Sequence, residues 1–527
     1  MLRQRGSGLV DLNDAAIVII GSGAGGGTVA HELTSRGLQV VLLEAGRRIE
    51  PQDFVQEDGA AYGQMTWLDK RRATGSWLAA TVSPAAPLWT VKAVGGSTLH
   101  WNGLAYRMQE HEFRPRSEYG AVEGATLIDW PVTLAEMEPW YVRAEDRLGV
   151  TGTHGIPRHG ATNNYRVLWN AAKRLGYSKI SNGHIAINSE PRDGRAGCIQ
   201  LGFCNQGCKV SAKWSTAVSE IPRATATGKL DLRTGCMAVR IEHDAAGRAG
   251  AVVYLDAAGT LQRQRARLVC IAGNAVETPR LLLNSESARF TQGLANGAGH
   301  VGRYYMHHVG GGTFGLLPKP VNMHRGITVA GALFDEGRHD PRRGFAGGYL
   351  VESMSLAPST LAMLLDPAEW GARNASFLEG YDHLAGMLIC GEEMPRADNR
   401  VTLDRTDKDH LGLPVPVIHV DRGANEAAME AHARKTTRAL FEAVGATDIR
   451  QLRTALATHN MGTARMSARA EEGVVDGFGR AHEVPNLFVS DGSVFPSSST
   501  ENPTLTIVAL AMRQADHIAR GLARGDY

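Results

Sequence analysis

Ala16-Ile17-Val18-Ile19-Ile20-Gly21-Ser22-Gly23-Ala24-Gly25-Gly26, a helical segment to Arg36-Gly37, and then Leu38-Gln39-Val40-Val41-Leu42-Leu43-Glu44 form the stretch that decides the fold. A β-branched run, a glycine turn, a helix and a second apolar run ending in a carboxylate read as strand, turn, helix and strand. Gly21, Gly23 and Gly26 have separate tasks: a tight turn, close approach of backbone to a pyrophosphate, and tight packing of helix on strand. The helix start that follows offers free N–H groups and a positive dipole end to phosphates. Glu44 lies 23 residues after Gly21, where a carboxylate accepts from ribose hydroxyls. A glycine turn without ligand is the bland alternative, and the flanking strand and helix argue against it.

Working outward, the chain of 527 residues is long enough for several domains. Lys plus Arg exceed Asp plus Glu by only 2, with both signs spread along the chain, so there is no electrostatic case for nucleic acid or an anionic membrane. No apolar run approaches the roughly 18 residues of a membrane span. Met1–Asp14 lacks the apolar segment of a secretory signal, so synthesis as a cytoplasmic protein is expected, with periplasmic export only alongside a partner that carries the signal. Six cysteines in so long a chain make no disulfide scaffold. Cys236, Cys270 and Cys390 sit in apolar or strand-like surroundings and read as core.

A loop, Gly95-Gly96-Ser97-Thr98-Leu99-His100-Trp101-Asn102-Gly103, suits backbone lying against a flat ring system. With no second dinucleotide fingerprint in the chain, it favours a resident flavin over an exchanging nicotinamide. Thr133-Leu134-Ala135-Glu136 has capping-box spacing and opens a helix to about Leu148. Residues 237–269 predict hairpin strands, and a helix is expected over about Glu426–Val444. Near the C-terminus stand His459-Asn460-Met461-Gly462-Thr463 and, further on, Asp491-Gly492-Ser493 and Asn502-Pro503-Thr504. A neutral imidazole at His459 can take a hydroxyl proton, and the Asn502 carboxamide can hydrogen-bond the same oxygen without competing for it. Asn502 reads as the N-cap of an apolar helix, Leu505 to Ile518, whose positive end would face the ring.

Taken in order, these motifs, together with Ala272-Gly273-Asn274 and Val301-Gly302-Arg303, resemble the glucose–methanol–choline (GMC) flavoprotein oxidoreductases from Ala16 to about Ala519. The likeness is greatest to bacterial FAD-dependent sugar and glucoside dehydrogenase subunits. The resemblance implies an α/β fold with a discontinuous Rossmann-like FAD-binding domain and a substrate domain of antiparallel β-sheet flanked by helices. It places the FAD domain at 12–304, the substrate domain at 305–455, and a C-terminal return at 456–527. By resemblance His459 and Asn502 are the catalytic pair. The cofactor is held by Gly21, Gly23, Gly26, Glu44, Gly95, Ser97, His100, Asn102, Val239, Asp491, Gly492, Pro503 and Thr504. Val239 corresponds to a position whose backbone often meets the adenine, and His100 to one where some members attach FAD covalently. His307-His308 replaces the family's frequent Asp-His pair, and no role follows from it.

Cys198, Cys204 and Cys208 lie close together with glycines between them, and their thiolates can converge on one centre. An iron–sulfur cluster, a zinc site completed by a distant ligand, and free thiols are the three readings. In the sugar dehydrogenase branch a similar loop holds a [3Fe–4S] cluster. The implied function is oxidation of a sugar or glycoside hydroxyl, with electrons leaving for a cytochrome c or a quinone. The implied partners are a sugar or alcohol substrate, a small chaperone-like subunit and a cytochrome acceptor. An oxygen-using oxidase of the same family is the principal rival; a cyanohydrin lyase and a non-catalytic binding protein are the others.

Overall fold

The computed structural model describes residues 11–12, 16–66, 72–76, 88–365, 371–452 and 458–527; the reading of Met1–Asp14 falls almost wholly outside them. The strand Ile17–Ile20 pairs in parallel with Val40–Glu44 on one side and Leu268–Ile271 on the other, and Leu230–Thr234 and Leu487–Val489 complete a five-stranded parallel sheet. Its inner strands are buried on both faces, which is why they read as unbroken apolar runs. The helix Ala24–Thr34 covers it and packs against the C-terminal helix Thr504–Arg524. The two ends of the chain therefore meet at this sheet. Gly21, Glu44, Ala272 and Asp491 all lie at or just beyond the carboxyl ends of its strands. In an open parallel sheet the ligand crevice lies at that edge.

An antiparallel meander, Met237–His243, Ala249–Leu255 and Leu261–Arg265, stands where the hairpins were expected. The second large sheet has six antiparallel strands in the order Ile449–Gln451, Val309–Leu316, Leu384–Gly391, Tyr349–Met354, Val329–Leu333 and Ile180–Asn182. Its last strand comes from inside 12–304, as does the helix Asn163–Arg174 that packs on it beside Ala424–Ala443. Side chains alternate between its faces. Thr313 and Tyr349 reach Thr437 and Thr436 of the long helix, whereas Leu388, Cys390, Glu352 and Met354 face the first sheet across a cavity.

Leu134–Leu148 begins at Thr133, whose hydroxyl accepts from Glu136 N at 3.2 Å while the Glu136 carboxylate accepts from Thr133 N at 2.8 Å. Such a box stabilises a helix by about 1 kcal/mol. Two expected helix starts shift. The long helix begins at Ala424 because the Glu426 carboxylate accepts from Gly423 N. The C-terminal helix is capped by Pro503, so Asn502 lies just outside it, and it runs on to Arg524, stopped by Gly525 in the left-handed conformation at φ 81°. Among the described residues, no helix is long and apolar enough to cross a membrane.

Candidate active site

One cavity runs from the glycine turn to the face of the antiparallel sheet, lined at one end by Gly21, Gly23 and Glu44 and at the other by His459, Asn502 and Glu352. At the first end the backbone sets the shape. Gly21 has φ 96°, and a Cβ there would lie 2.3 Å from the Ala272 carbonyl oxygen. A Cβ on Gly26 would stand 2.0 Å from the Gly21 carbonyl oxygen, so this glycine lets helix meet turn. A Cβ on Gly23 would meet nothing within 4 Å, because it faces the open cavity. Glu44, pushed up by burial, accepts from Ser22 N at 3.0 Å, Ser22 Oγ at 2.6 Å and Gly46 N at 2.9 Å.

Ser97, Asn102, Asp491, Gly492, Pro503 and Thr504 also line the cavity. Asp491 is tied down by Asn274 N, Thr278 Oγ1, Ser493 N and Ser493 Oγ at 2.5–2.9 Å. Gly95 stands behind the wall, at φ 101°, with its N–H on Ser22 Oγ at 3.1 Å. Besides Gly95, three expected positions, Gly26, His100 and Val239, do not line the cavity. His100 is buried with Nδ1 2.8 Å from the Asn205 carbonyl and Nε2 3.1 Å from Gln64 Oε1, and burial lowers its pKa to about 4. Both ring nitrogens are thus engaged with protein. Val239 packs with Val253, Leu255 and Leu413, while its neighbours Met237 and Ala238 supply the wall. Cys236 and Cys390, expected as core, are buried and also line the cavity; Cys270 is core alone.

At the other end the side chains set the chemistry. His459 holds a left-handed backbone, φ 61°, which is strained for a residue with a Cβ. Its ring opens to the cavity and is otherwise enclosed by protein, and burial, reinforced by His308 and His307, drives its pKa well below the ordinary imidazole value. Nδ1 lies 2.8 Å from His308 Nδ1, and Nε2 lies 3.5 Å from Asn502 Nδ2. His308 Nε2 faces the Ser498 carbonyl at 3.3 Å, and burial lowers this imidazole to about 4.

Those contacts select a tautomer. A carbonyl only accepts, so His308 Nε2 carries the proton and its neutral ring has a bare Nδ1. That bare nitrogen requires a proton on His459 Nδ1. The neutral His459 ring then presents a bare Nε2 to Asn502 and the cavity, the form a general base needs. Cys390 Sγ flanks His308 Nδ1 at 2.9 Å, and burial raises its thiol well above the usual range. The ligand atoms of His308, Cys390 and His459 lie within 4.8 Å of one another, close enough also for a metal ion. Neither His308 nor Glu352 was assigned a role from sequence. His308 carried a visible signal, its place in the altered pair; Glu352 carried none, standing alone in an apolar strand.

The cysteine loop abuts the 95–102 loop. Lys213 Nζ, fully buried, donates to the Leu99 carbonyl at 2.9 Å, the Trp101 carbonyl at 2.6 Å and the Cys204 carbonyl. Burial lowers this ammonium to about 8, and the nearby Cys204 and Cys208 oppose that shift. Burial raises the Cys198 thiol to about 11, with smaller contributions from Cys204 and Cys208. All three are free thiols.

Models of the N- and C-terminal parts of the GMC oxidoreductase family match residues 72–309 and 395–511. The chain is 31% identical to paromamine 6'-oxidase of Streptomyces fradiae over 96% of its own length and 91% of the relative's. It is 28% identical to the fructose dehydrogenase large subunit of Gluconobacter japonicus, covering 97% and 99%. Its fold matches an Aspergillus oryzae formate oxidase variant, studied for FAD modification, with TM-score 0.70 at 16% identity, covering 96% and 98%. The chain belongs to the GMC oxidoreductase family, FAD-dependent enzymes that act on alcohol- and sugar-type hydroxyls. Its relatives include both oxidases and dehydrogenases, bacterial sugar dehydrogenases among them.

Proposed function

We propose that this protein oxidises a hydroxyl of a sugar or glycoside to a carbonyl as a dehydrogenase, with His459 as general base and Asn502 as its hydrogen-bonding companion. The observation that carries this reading is the bare Nε2 of His459, 3.5 Å from the Asn502 amide, in the cavity that begins at the glycine turn. The cavity suits FAD on three counts. Gly23 leaves its wall open, Ala24 and Gly25 at the helix start after it line it, and the buried Asn102 Oδ1 has no protein partner among the described residues. Gly21, Gly23, Glu44, Ser97, Asn102, Asp491 and Gly492 would hold the dinucleotide, and Pro503-Thr504 the ring. When bound, FAD supplies the acceptor for the hydride that leaves the substrate carbon.

The remaining steps belong to the chain. His459 Nε2 takes the hydroxyl proton as the carbon gives up its hydride, and the Nδ1–H donated to His308 keeps the ring from turning. Burial keeps the imidazole neutral at rest, ready to accept. Asn502 donates to the substrate oxygen, and the start of the C-terminal helix beside it adds a positive field. Cys198, Cys204 and Cys208 would hold an iron–sulfur centre, which when bound would supply one-electron transfer toward a cytochrome c or quinone. What supports that route is the clustering of the three cysteines, the buried Lys213 as countercharge, and contact with the 95–102 loop beside the cavity. The fructose dehydrogenase relative is named as a large subunit, which supports a partner subunit here. Export to the periplasm would then depend on that partner.

The test is an anaerobic panel of sugars, glycosides and simple alcohols, read by bleaching of the flavin; no bleaching by any sugar refutes the reading. Iron analysis with electron paramagnetic resonance tests the cluster, and active iron-free protein ends it. The oxidase reading, favoured by the paromamine 6'-oxidase relative, predicts substrate-dependent oxygen uptake at an electrode.

A further inference from the structure

Among the described residues, four carboxyl side chains line the cavity: Glu44, Glu277, Asp491 and Glu352. Three are occupied by protein donors. Glu44 and Asp491 have the contacts described above, and Glu277 binds Lys92 at 3.0 Å and Arg280 at 3.1 Å. Glu352 differs. It is 3% exposed, and among the described residues its carboxylate meets only the Asn502 amide while the buried Oε1 has no hydrogen-bond partner. A buried carboxyl oxygen without a donor costs roughly 1–3 kcal/mol and persists where a ligand completes it.

The position of Glu352 says which ligand. It pairs with Leu388, which pairs with Gly312, so one row of the sheet presents an apolar surface and a single carboxyl to the cavity. Among the described residues, no positive side chain answers it. Among the described wall residues only Lys92 and Arg280 are permanently cationic, and both are bound to Glu277 at the other end. Burial, with smaller contributions from Glu352, Glu501 and Glu112, raises the Cys390 thiol beside it, and burial also holds Glu501 well above the ordinary carboxyl range, so Glu352 is the carboxyl left to face a cation here. A hydroxyl would satisfy Oε1 and leave the Glu352 carboxylate charge uncompensated, whereas an ammonium does both.

We infer that Glu352 is a specificity determinant that receives a protonated amine of the substrate, so that the preferred sugar or glycoside carries a basic nitrogen. This rests on the hydroxyl oxidation proposed above. The test uses FAD-loaded wild type, Glu352→Gln and Glu352→Asp. Each is given methyl glucoside, its analogues with an amino group replacing one hydroxyl, and their N-acetyl counterparts, with anaerobic flavin reduction as readout.

One amino analogue should exceed both its neutral counterparts at least about tenfold in kcat/KM for wild type, a difference of about 1.4 kcal/mol. That ratio should collapse in Glu352→Gln, which keeps an oxygen for Asn502, and be partly kept in Glu352→Asp. No amine preference in wild type, or an equal preference in Glu352→Gln, overturns the inference. If no sugar bleaches the flavin, the oxidation reading fails, and cyclohexylammonium titrated against the flavin spectrum decides Glu352 independently. Binding weakened about tenfold in Glu352→Gln upholds the subsite, and equal binding or none removes it.

Discussion

The two ends of the cavity are built on opposite plans. At the glycine turn the backbone does the shaping, and side chains matter chiefly by their absence: Gly21 and Gly26 leave room that a Cβ would take from a carbonyl oxygen. At the sheet end the backbone is ordinary or even strained, and the function rests on His459, His308, Asn502 and Glu352, which meet from distant parts of the chain. The lesson is that a nucleotide cradle can be local in sequence, whereas an acid–base constellation is assembled by tertiary contact. Substitutions should therefore act differently at the two ends: loss of cofactor and stability at one, loss of rate and selectivity at the other.

The largest effect falls at the reaction end. His459→Ala should slow anaerobic flavin reduction roughly 10²–10⁴-fold while the protein still binds FAD, the range expected when a general base is removed. Unchanged reduction in stopped flow would refute the base.

Next comes a pH effect that sharpens the distinction between filled and unfilled carboxyls. Burial raises Glu352 from 4.5 to about 7. The folded protein then holds a proton that the unfolded chain releases, so wild-type stability relative to Glu352→Gln falls as pH rises from about 4.5 to 7 and levels off above. The ceiling is about 3 kcal/mol, readable by denaturant titration of both proteins at each pH. A flat difference across that window would mean that Glu352 titrates normally.

At the glycine end, Gly21→Ala should cost about 2 kcal/mol or more, from left-handed backbone strain and the Ala272 carbonyl in the way. It should show as low flavin content and a lowered Tm, and a fully flavinylated, equally stable variant would break the contrast. Smaller again, His308→Ala should reduce the rate about tenfold, roughly 1.4 kcal/mol in the barrier. His308→Gln should recover part of it, since an amide can accept from His459 and donate to Ser498. Nitrogen-15 shifts of His459 report the tautomer directly, and an unaltered tautomer in His308→Ala removes His308 as a positioning residue. The smallest effect is backbone strain: His459→Gly should be more stable than His459→Ala by about 1 kcal/mol, because glycine adopts φ 61° freely. Equal melting of the two would show the strain to be negligible.

What the sequence determined by itself was whatever depends on near neighbours. The strand, glycine turn, helix and strand at Ala16–Glu44 follow from apolar runs and punctuation, the helix at Leu134 from its capping box, and the His459 and Asn502 motifs from residue chemistry in a familiar order. The slip at this level was short-range: Pro503 rather than Asn502 caps the last helix. Only the tertiary structure decided that His100 points into protein, that Ile180–Asn182 joins the distant sheet, that His308 selects the His459 tautomer, and that Glu352 alone among the described wall carboxyls has an oxygen to spare. Each of these depends on which residues far apart in the chain become neighbours and on how little water is left between them. Burial and hydrogen-bond completion are properties of the folded surroundings, and no window of sequence contains them.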